Sequence, residues 1–101
     1  MILETQIQNT SEEFKKNKIQ MLSLLQDFKS RVQKIKLGGG EEAMKKHKSR
    51  GKLTARERIE GLLDPGTSFL EFSTLAANGM YEDQAPSAGV ITGIGVIQKT
   101  E

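Results

Sequence analysis

A short helix with a start signal and a stop signal sits at the middle of the chain, and it divides everything else. Thr54 and Glu57 stand three residues apart. That is the spacing of a capping box, in which each side chain satisfies a free backbone N–H at a helix start. Asp64-Pro65-Gly66-Thr67 follows. Pro at the second position and Gly at the third predict a type II turn, whose third residue needs a positive φ. The helix between these signals places Ala55, Ile59, Leu62 and Leu63 on one face. Upstream of it the chain reads as helix, and downstream as strand and loop.

Thr10-Ser11-Glu12-Glu13 predicts an earlier helix start, with Thr10 as N-cap and Glu13 closing a capping box. Phe14, Met21, Leu25, Phe28, Val32 and Ile35 then recur at heptad-like spacing, with Lys18 where the stripe needs an apolar residue. Leu22 and Leu24 widen the face. A stripe of this kind pairs with another helix or subunit, or packs on its own domain. Gly38-Gly39-Gly40 is expected to end the helix, since Gly takes the left-handed conformation of a C-cap. Glu41-Glu42 opens a second helix, with acids where the helix dipole favours them. A Gly-rich turn before a helix can cradle phosphate. Here two carboxylates would repel an anion and no Gly-Lys-Ser/Thr follows, so ordinary capping is expected. Lys45-Lys46-His47-Lys48 is the basic end of this second helix, which Gly51 breaks.

Phe69-Leu70-Glu71-Phe72 reads as a short strand. Thr74 to Tyr81 is ambiguous, with a turn at Asn78-Gly79, and Glu82 to Ser87 reads as loop. Gly89 to Ile97 is dominated by β-branched residues and is expected to be a strand. Gly93 and Gly95 fall on one of its faces, which implies close approach by another backbone or element. Two strands are marginal without further cover, so these residues are expected to be part of a longer chain.

Length and composition set limits. The chain has 101 residues, is 36% hydrophobic and carries only five aromatic residues. That allows one small domain with a thin core. The absence of Cys excludes disulfides and thiolate metal sites. One His, His47, cannot build a His-based metal cluster by itself, and no metal site is expected. No run approaches the roughly 20 apolar residues that span a bilayer, and Met1-Ile2-Leu3-Glu4 does not open a secretory signal. A cytoplasmic protein with no membrane partner is therefore the expectation.

The net charge is only +2, yet seven Lys and Arg residues lie between Lys45 and Arg58 with one acid, Glu57. Such a cluster can bind nucleic acid, an acidic protein face or the phosphates of a nucleotide-like cofactor; it can equally be a solvated face. No aromatic residues alternate with these cations to stack on bases, so nucleic acid is not expected. No Ser/His/Asp constellation can be built. The pairs Glu12/Glu13, Glu41/Glu42 and Glu82/Asp83 are sequence neighbours, not convergent acid–base partners. Thr92-Gly93-Ile94-Gly95 holds a GxG, but position 98 is Gln and the motif lies inside a strand, which rules out a dinucleotide fingerprint.

Three segments, taken in order, resemble one family: Leu37-Gly38-Gly39-Gly40-Glu41; Ser49-Arg50-Gly51-Lys52-Leu53-Thr54-Ala55-Arg56-Glu57-Arg58-Ile59 with Leu62-Leu63-Asp64-Pro65-Gly66; and Ala85-Pro86-Ser87-Ala88-Gly89-Val90-Ile91-Thr92-Gly93-Ile94-Gly95. They are similar to the N-terminal end of the carboxyltransferase (beta) subunit of biotin-dependent acyl-CoA carboxylases. The resemblance covers roughly residues 30–98. Phe69-Leu70-Glu71-Phe72-Ser73 and Tyr81 resemble the methylcrotonoyl-CoA branch more than the propionyl-CoA branch, while Ala85-Pro86-Ser87-Ala88 departs from the Gly-rich form of that branch.

The resemblance implies an α/β, crotonase-like fold of ββα repeats. Residues 1–37 would be a helical N-terminal arm, and residues 38–101 the start of the carboxyltransferase domain. It implies transfer of a carboxyl group from carboxybiotin, carried by a partner subunit with biotin carboxylase or biotin-carrier function, to an acyl-CoA. Backbone N–H groups would stabilise the enolate, the biotin ureido nitrogen would take the proton, and active sites would lie between subunits of a homo-oligomer. The oxyanion segments of the family lie beyond these residues, so no position here is expected to be catalytic and the piece alone is expected to be inactive. Arg50, Lys52, Arg56 and Arg58 are the candidates for contact with CoA phosphates, against the rival that Arg56 and Arg58 form structural ion pairs. The alternative function is a small non-enzymatic helical interaction module with a basic face.

Overall fold

The computed structural model describes residues 1–101 and divides into two compact units, Met1–Arg31 and Val32–Glu101. In the first, residues 1–11 are non-helical and helix α1 begins, running Glu12–Lys36. Its cap is Ser11, not Thr10. The Ser11 hydroxyl accepts the Phe14 N–H at 3.2 Å and donates to the Gln8 carbonyl at 2.9 Å. The helix starts one residue later than the Thr10/Glu13 pattern implies, so Glu13 is not at the reciprocal position. Glu12 instead pairs with Lys15 at 3.2 Å. Met21, Leu22, Leu24, Leu25 and Phe28 are all exposed.

In the second unit, α1 ends as expected. Gly38 takes φ +65° and its N–H donates to the Ile35 carbonyl at 2.9 Å. Helix α2, Glu41–Ser49, follows, with Glu41 and Lys45 paired at 2.8 Å. Helix α3, Ala55–Leu62, carries the expected capping box: the Thr54 hydroxyl accepts the Glu57 N–H at 3.2 Å, and Glu57 Oε2 accepts the Thr54 N–H at 2.9 Å. The Asp64–Thr67 turn closes it, with Gly66 at φ +76° and the Thr67 N–H donating to the Asp64 carbonyl at 3.2 Å.

Strands β1, Leu70–Phe72, and β2, Thr92–Ile94, form a two-stranded antiparallel sheet. The register pairs Leu70 with Ile94, Glu71 with Gly93 and Phe72 with Thr92. The close approach anticipated at the two glycines is present. A Cβ on Gly93 would collide with the Leu70 carbonyl oxygen and the Phe69 ring, and one on Gly95 with the Leu63 side chain.

The second strand is much shorter than the Gly89–Ile97 run of β-branched residues implies. At its start, Ser87, Ala88 and Gly89 occupy a left-handed turn. At its end the chain leaves the sheet toward Asp64. The Asp64 N–H donates to the Val96 carbonyl, and its two carboxylate oxygens accept the N–H groups of Gln98 and Lys99, each at 2.8 Å. Gln98 and Lys99 sit at φ +50° and +64° in a tight reversal that bridges Ile97 to Thr100.

The Glu82–Ser87 loop is more ordered than its composition implies. It holds two 3₁₀ turns, Tyr81–Asp83 and Pro86–Gly89. Ser73, Ala77, Tyr81, Glu82, Asp83, Ser87 and Ala88 all have positive φ. Each such residue costs about 1 kcal/mol or more, so something must offset that strain. Ser87 is buried and its hydroxyl donates to the Thr74 carbonyl at 3.1 Å, while the Ala88 N–H donates to the Ala76 carbonyl at 3.0 Å. No hydrophobic side chain is fully buried; Thr54 and Ser87 are the buried residues. The second unit is therefore held largely by polar links between segments distant in sequence.

Candidate functional site

One well-formed concave feature lies within the second unit. It is a mainly apolar cleft of about 520 Å³ between the end of α1, helix α2, the start of α3 and the 84–91 segment. Ile35, Met44, Pro86, Val90 and Ile91 supply apolar wall, and Lys36, His47 and Arg56 supply the basic groups. The volume is within the usual range for small-molecule sites.

Local chemistry fixes the junction between α2 and α3 beside this cleft. His47 Nε2 lies 2.8 Å from the Leu53 carbonyl. A carbonyl can only accept, so Nε2 is the donor of this bond. Lys48 Nζ contacts Glu57 Oε1 at 2.6 Å, and the Lys48 ammonium and the Thr54 N–H hold the Glu57 carboxyl below its ordinary range. These links hold both ends of the Ser49–Leu53 connection.

Four cations were candidates for anion contact, and the structure separates them. Arg56 is half-buried on the cleft wall and binds Glu71 in a two-pronged pair, Nη1 to Oε2 at 2.8 Å and Nη2 to Oε1 at 2.9 Å. This planar fork ties α3 to β1 and is the strong form of a charged hydrogen bond. Arg50, Lys52 and Arg58 are exposed, make no ion pair, and are not on the cleft wall. Of the two proposed structural ion pairs, Arg56 forms one and Arg58 does not. Glu71 carried no signal in the sequence beyond its place in a short strand, because its partner lies fifteen residues away. No group of three or more His, Asp or Glu residues is arranged to hold a metal ion. No helix is long and apolar enough to cross a membrane.

The Arg56 guanidinium holds the Glu71 carboxyl below its ordinary range, with a smaller contribution from Lys36. Glu57 is lowered as well. A lowered folded-state value means that the carboxylate contributes stability above its unfolded value, about 4.3 for Glu, and that this contribution is lost as pH falls through the folded value. Thermal unfolding between pH 7 and pH 2 should therefore show a melting temperature that is level near neutrality and declines below about pH 4.3. Glu71→Gln should lower the neutral plateau and flatten the decline; an unchanged slope would refute the assignment.

Comparison with known proteins matches residues 46–98 to the carboxyl transferase domain. The chain belongs to the carboxyl transferase domain family. The mitochondrial methylcrotonoyl-CoA carboxylase beta chain of Arabidopsis thaliana is 51% identical over 96 residues, covering 95% of this chain and 16% of the relative. Among solved structures, the beta subunit of P. aeruginosa geranyl-CoA carboxylase matches with a TM-score of 0.78 at 35% identity, covering 96% of this chain and 18% of that one. Transcarboxylase 12S, solved as a hexamer with methylmalonyl-coenzyme A bound, matches with a TM-score of 0.66 at 38% identity, covering 76% of this chain and 16% of that one. The family member described here thus spans about one-sixth of the relatives it matches. Its fold class is the α/β crotonase-like one that the motifs implied, represented by a helical arm and a small sheet. Family membership favours the carboxyltransferase reading over the helical interaction module.

Proposed function

We propose that this chain is the N-terminal part of the carboxyltransferase subunit of a biotin-dependent acyl-CoA carboxylase, with residues 1–37 as its helical arm and residues 38–101 as the start of the domain. The match of residues 46–98 to the carboxyl transferase domain carries this reading. The group transferred would be the carboxyl of carboxybiotin, delivered by a partner with biotin carboxylase or biotin-carrier function, and the acceptor an acyl-CoA. Assembly into a homo-oligomer is supported by the hexamer of transcarboxylase 12S. The methylcrotonoyl-CoA branch is the favoured substrate class, supported by the 51% identity to a relative of that name.

What these residues contribute is anion recognition. CoA carries phosphates, and Arg50, Lys52 and Arg58 are exposed cations whose charge no carboxylate neutralises. The fixed ends of the Ser49–Leu53 connection lower the entropy lost when Arg50 and Lys52 engage an anion. Arg56 serves the same site indirectly, as the residue that joins α3 to β1, since its fork is already filled by Glu71.

The test is steady-state kinetics of the whole subunit with its biotin-bearing partner. Arg50→Glu with Lys52→Glu should raise the acyl-CoA KM about tenfold, equivalent to about 1.4 kcal/mol, while the apparent affinity for the carboxybiotin partner stays unchanged. An unchanged acyl-CoA KM would remove these residues from the CoA site.

A further inference from the structure

Between β1 and the cleft-lining 84–91 segment lies a pair of residues whose chemistry the proposed function does not use. Asn78 and Gly79 are adjacent and exposed in the 74–79 turn. Gly79 has no side chain, and the space a Cβ would take is open to 4 Å, so no β-carbon crowds the approach of its nitrogen to the asparagine amide. The Gly79 N–H is not idle: it donates to Asp83 Oδ1 at 2.7 Å. The Asn78 N–H is held separately, by the Leu75 carbonyl at 3.0 Å.

We infer that Asn78–Gly79 is a self-modification site that closes to a succinimide, and that the Asp83 carboxylate is its brake. In the closing step the Gly79 nitrogen attacks the Asn78 side-chain carbonyl carbon. A bond forms from that nitrogen to the carbon, the bond from the carbon to Nδ2 breaks, and ammonia leaves with the proton lost from the Gly79 nitrogen. Water then opens the ring at either carbonyl. The products are an aspartyl residue at position 78, or an isoaspartyl residue that carries the chain through one additional backbone carbon. No oxidant or cofactor takes part.

Ring closure requires the Gly79 nitrogen to shed its proton and turn toward Asn78. Asp83 opposes both. It occupies that N–H in a charge-assisted bond, and its negative charge disfavours an electron-rich nitrogen beside it. The two other asparagines, Asn9 and Asn17, precede Thr10 and Lys18. The side chains of those following residues crowd the same attack, so they serve as internal references.

The experiment is peptide mapping by mass spectrometry, with isoaspartate detection, of the 101-residue chain held at neutral pH and 37 °C. Wild type should modify slowly at Asn78 and less at Asn9 and Asn17. Asp83→Ala should speed modification at Asn78 about tenfold, from loss of one charged hydrogen bond. Wild type in denaturant should speed up by a similar factor at Asn78, because the Asp83 bond is lost there too. Equal rates for wild type and Asp83→Ala, equal rates for wild type in buffer and in denaturant, or no modification at Asn78 in any of them would each overturn the inference.

Discussion

Gly93→Ala should unpair β1 from β2. The register sets Gly93 opposite Glu71, and a Cβ there would collide with the Leu70 carbonyl oxygen as well as the Phe69 ring. A ring can swing aside, but a backbone oxygen in the ladder cannot move without breaking the pairing. Overpacking of this kind costs about 3 kcal/mol, a large fraction of the stability of any small domain. Hydrogen exchange should show the ladder amides of residues 70–72 and 92–94 losing protection, while helices α2 and α3 keep theirs. Gly95→Ala is the control. Its Cβ would overlap the Leu63 side chain and press on the edge of the Phe69 ring, with no backbone atom in the way; both side chains can shift, so a cost of about 1 kcal/mol is expected. Equal effects at the two positions would mean that the backbone contact at Leu70 is not what requires the glycine.

Asp64→Ala should release the end of the second strand. The carboxylate gives one oxygen to the Gln98 N–H and the other to the Lys99 N–H. Both of those residues are left-handed and neither is glycine, so each holds a conformation that costs about 1 kcal/mol or more. Losing two hydrogen bonds to a charged acceptor should destabilise the second unit by about 2–3 kcal/mol. Asp64→Asn should be nearly as damaging as Asp64→Ala. An amide keeps one acceptor oxygen and places an NH₂ donor against the other N–H. Urea unfolding of the three proteins tests this, and an Asn variant as stable as wild type would show that the carboxylate's second oxygen is dispensable. Replacing both Gln98 and Lys99 by Gly should recover part of the loss, because glycine adopts positive φ without the steric cost.

The contrast between Thr54 and Asp64 shows what could be read from the sequence. The capping box of α3 and the turn that ends it are interactions within a few residues, so spacing alone sufficed. Asp64 was legible as the first residue of that turn, but its second role was not. The amides it binds are 34 and 35 residues away. Nothing about Gln98-Lys99 advertises a left-handed reversal, which is usually built from Asn and Gly. The same limit explains the second strand. β-branched residues run on past Ile94, yet β1 offers only three partners and Asp64 draws the chain away. At the start of α1, Thr10 and Ser11 are both competent caps, and the Thr10/Glu13 spacing pointed to the one the fold does not use. In the candidate site, the sequence set Arg56 and Arg58 apart from Arg50 and Lys52 as candidates for structural ion pairs, but could not choose between the two. Only the fold, by bringing Glu71 to Arg56, distinguishes the one that is bound from the three that are free.

The lack of any buried apolar side chain has a thermal consequence. The rise in heat capacity on unfolding comes from exposing apolar surface to water, and exposing polar groups subtracts from it. A unit joined by a carboxylate on two amides, a guanidinium on a carboxylate and a hydroxyl on a carbonyl, whose Ile59, Leu63, Phe69 and Ile91 are only half-buried, exposes less new apolar surface when it opens than one with a closed core. Its heat-capacity increment should lie well below the usual value of about 12–15 cal/mol/K per residue. Its stability then curves only gently with temperature, with no sharp optimum and little weakening in the cold.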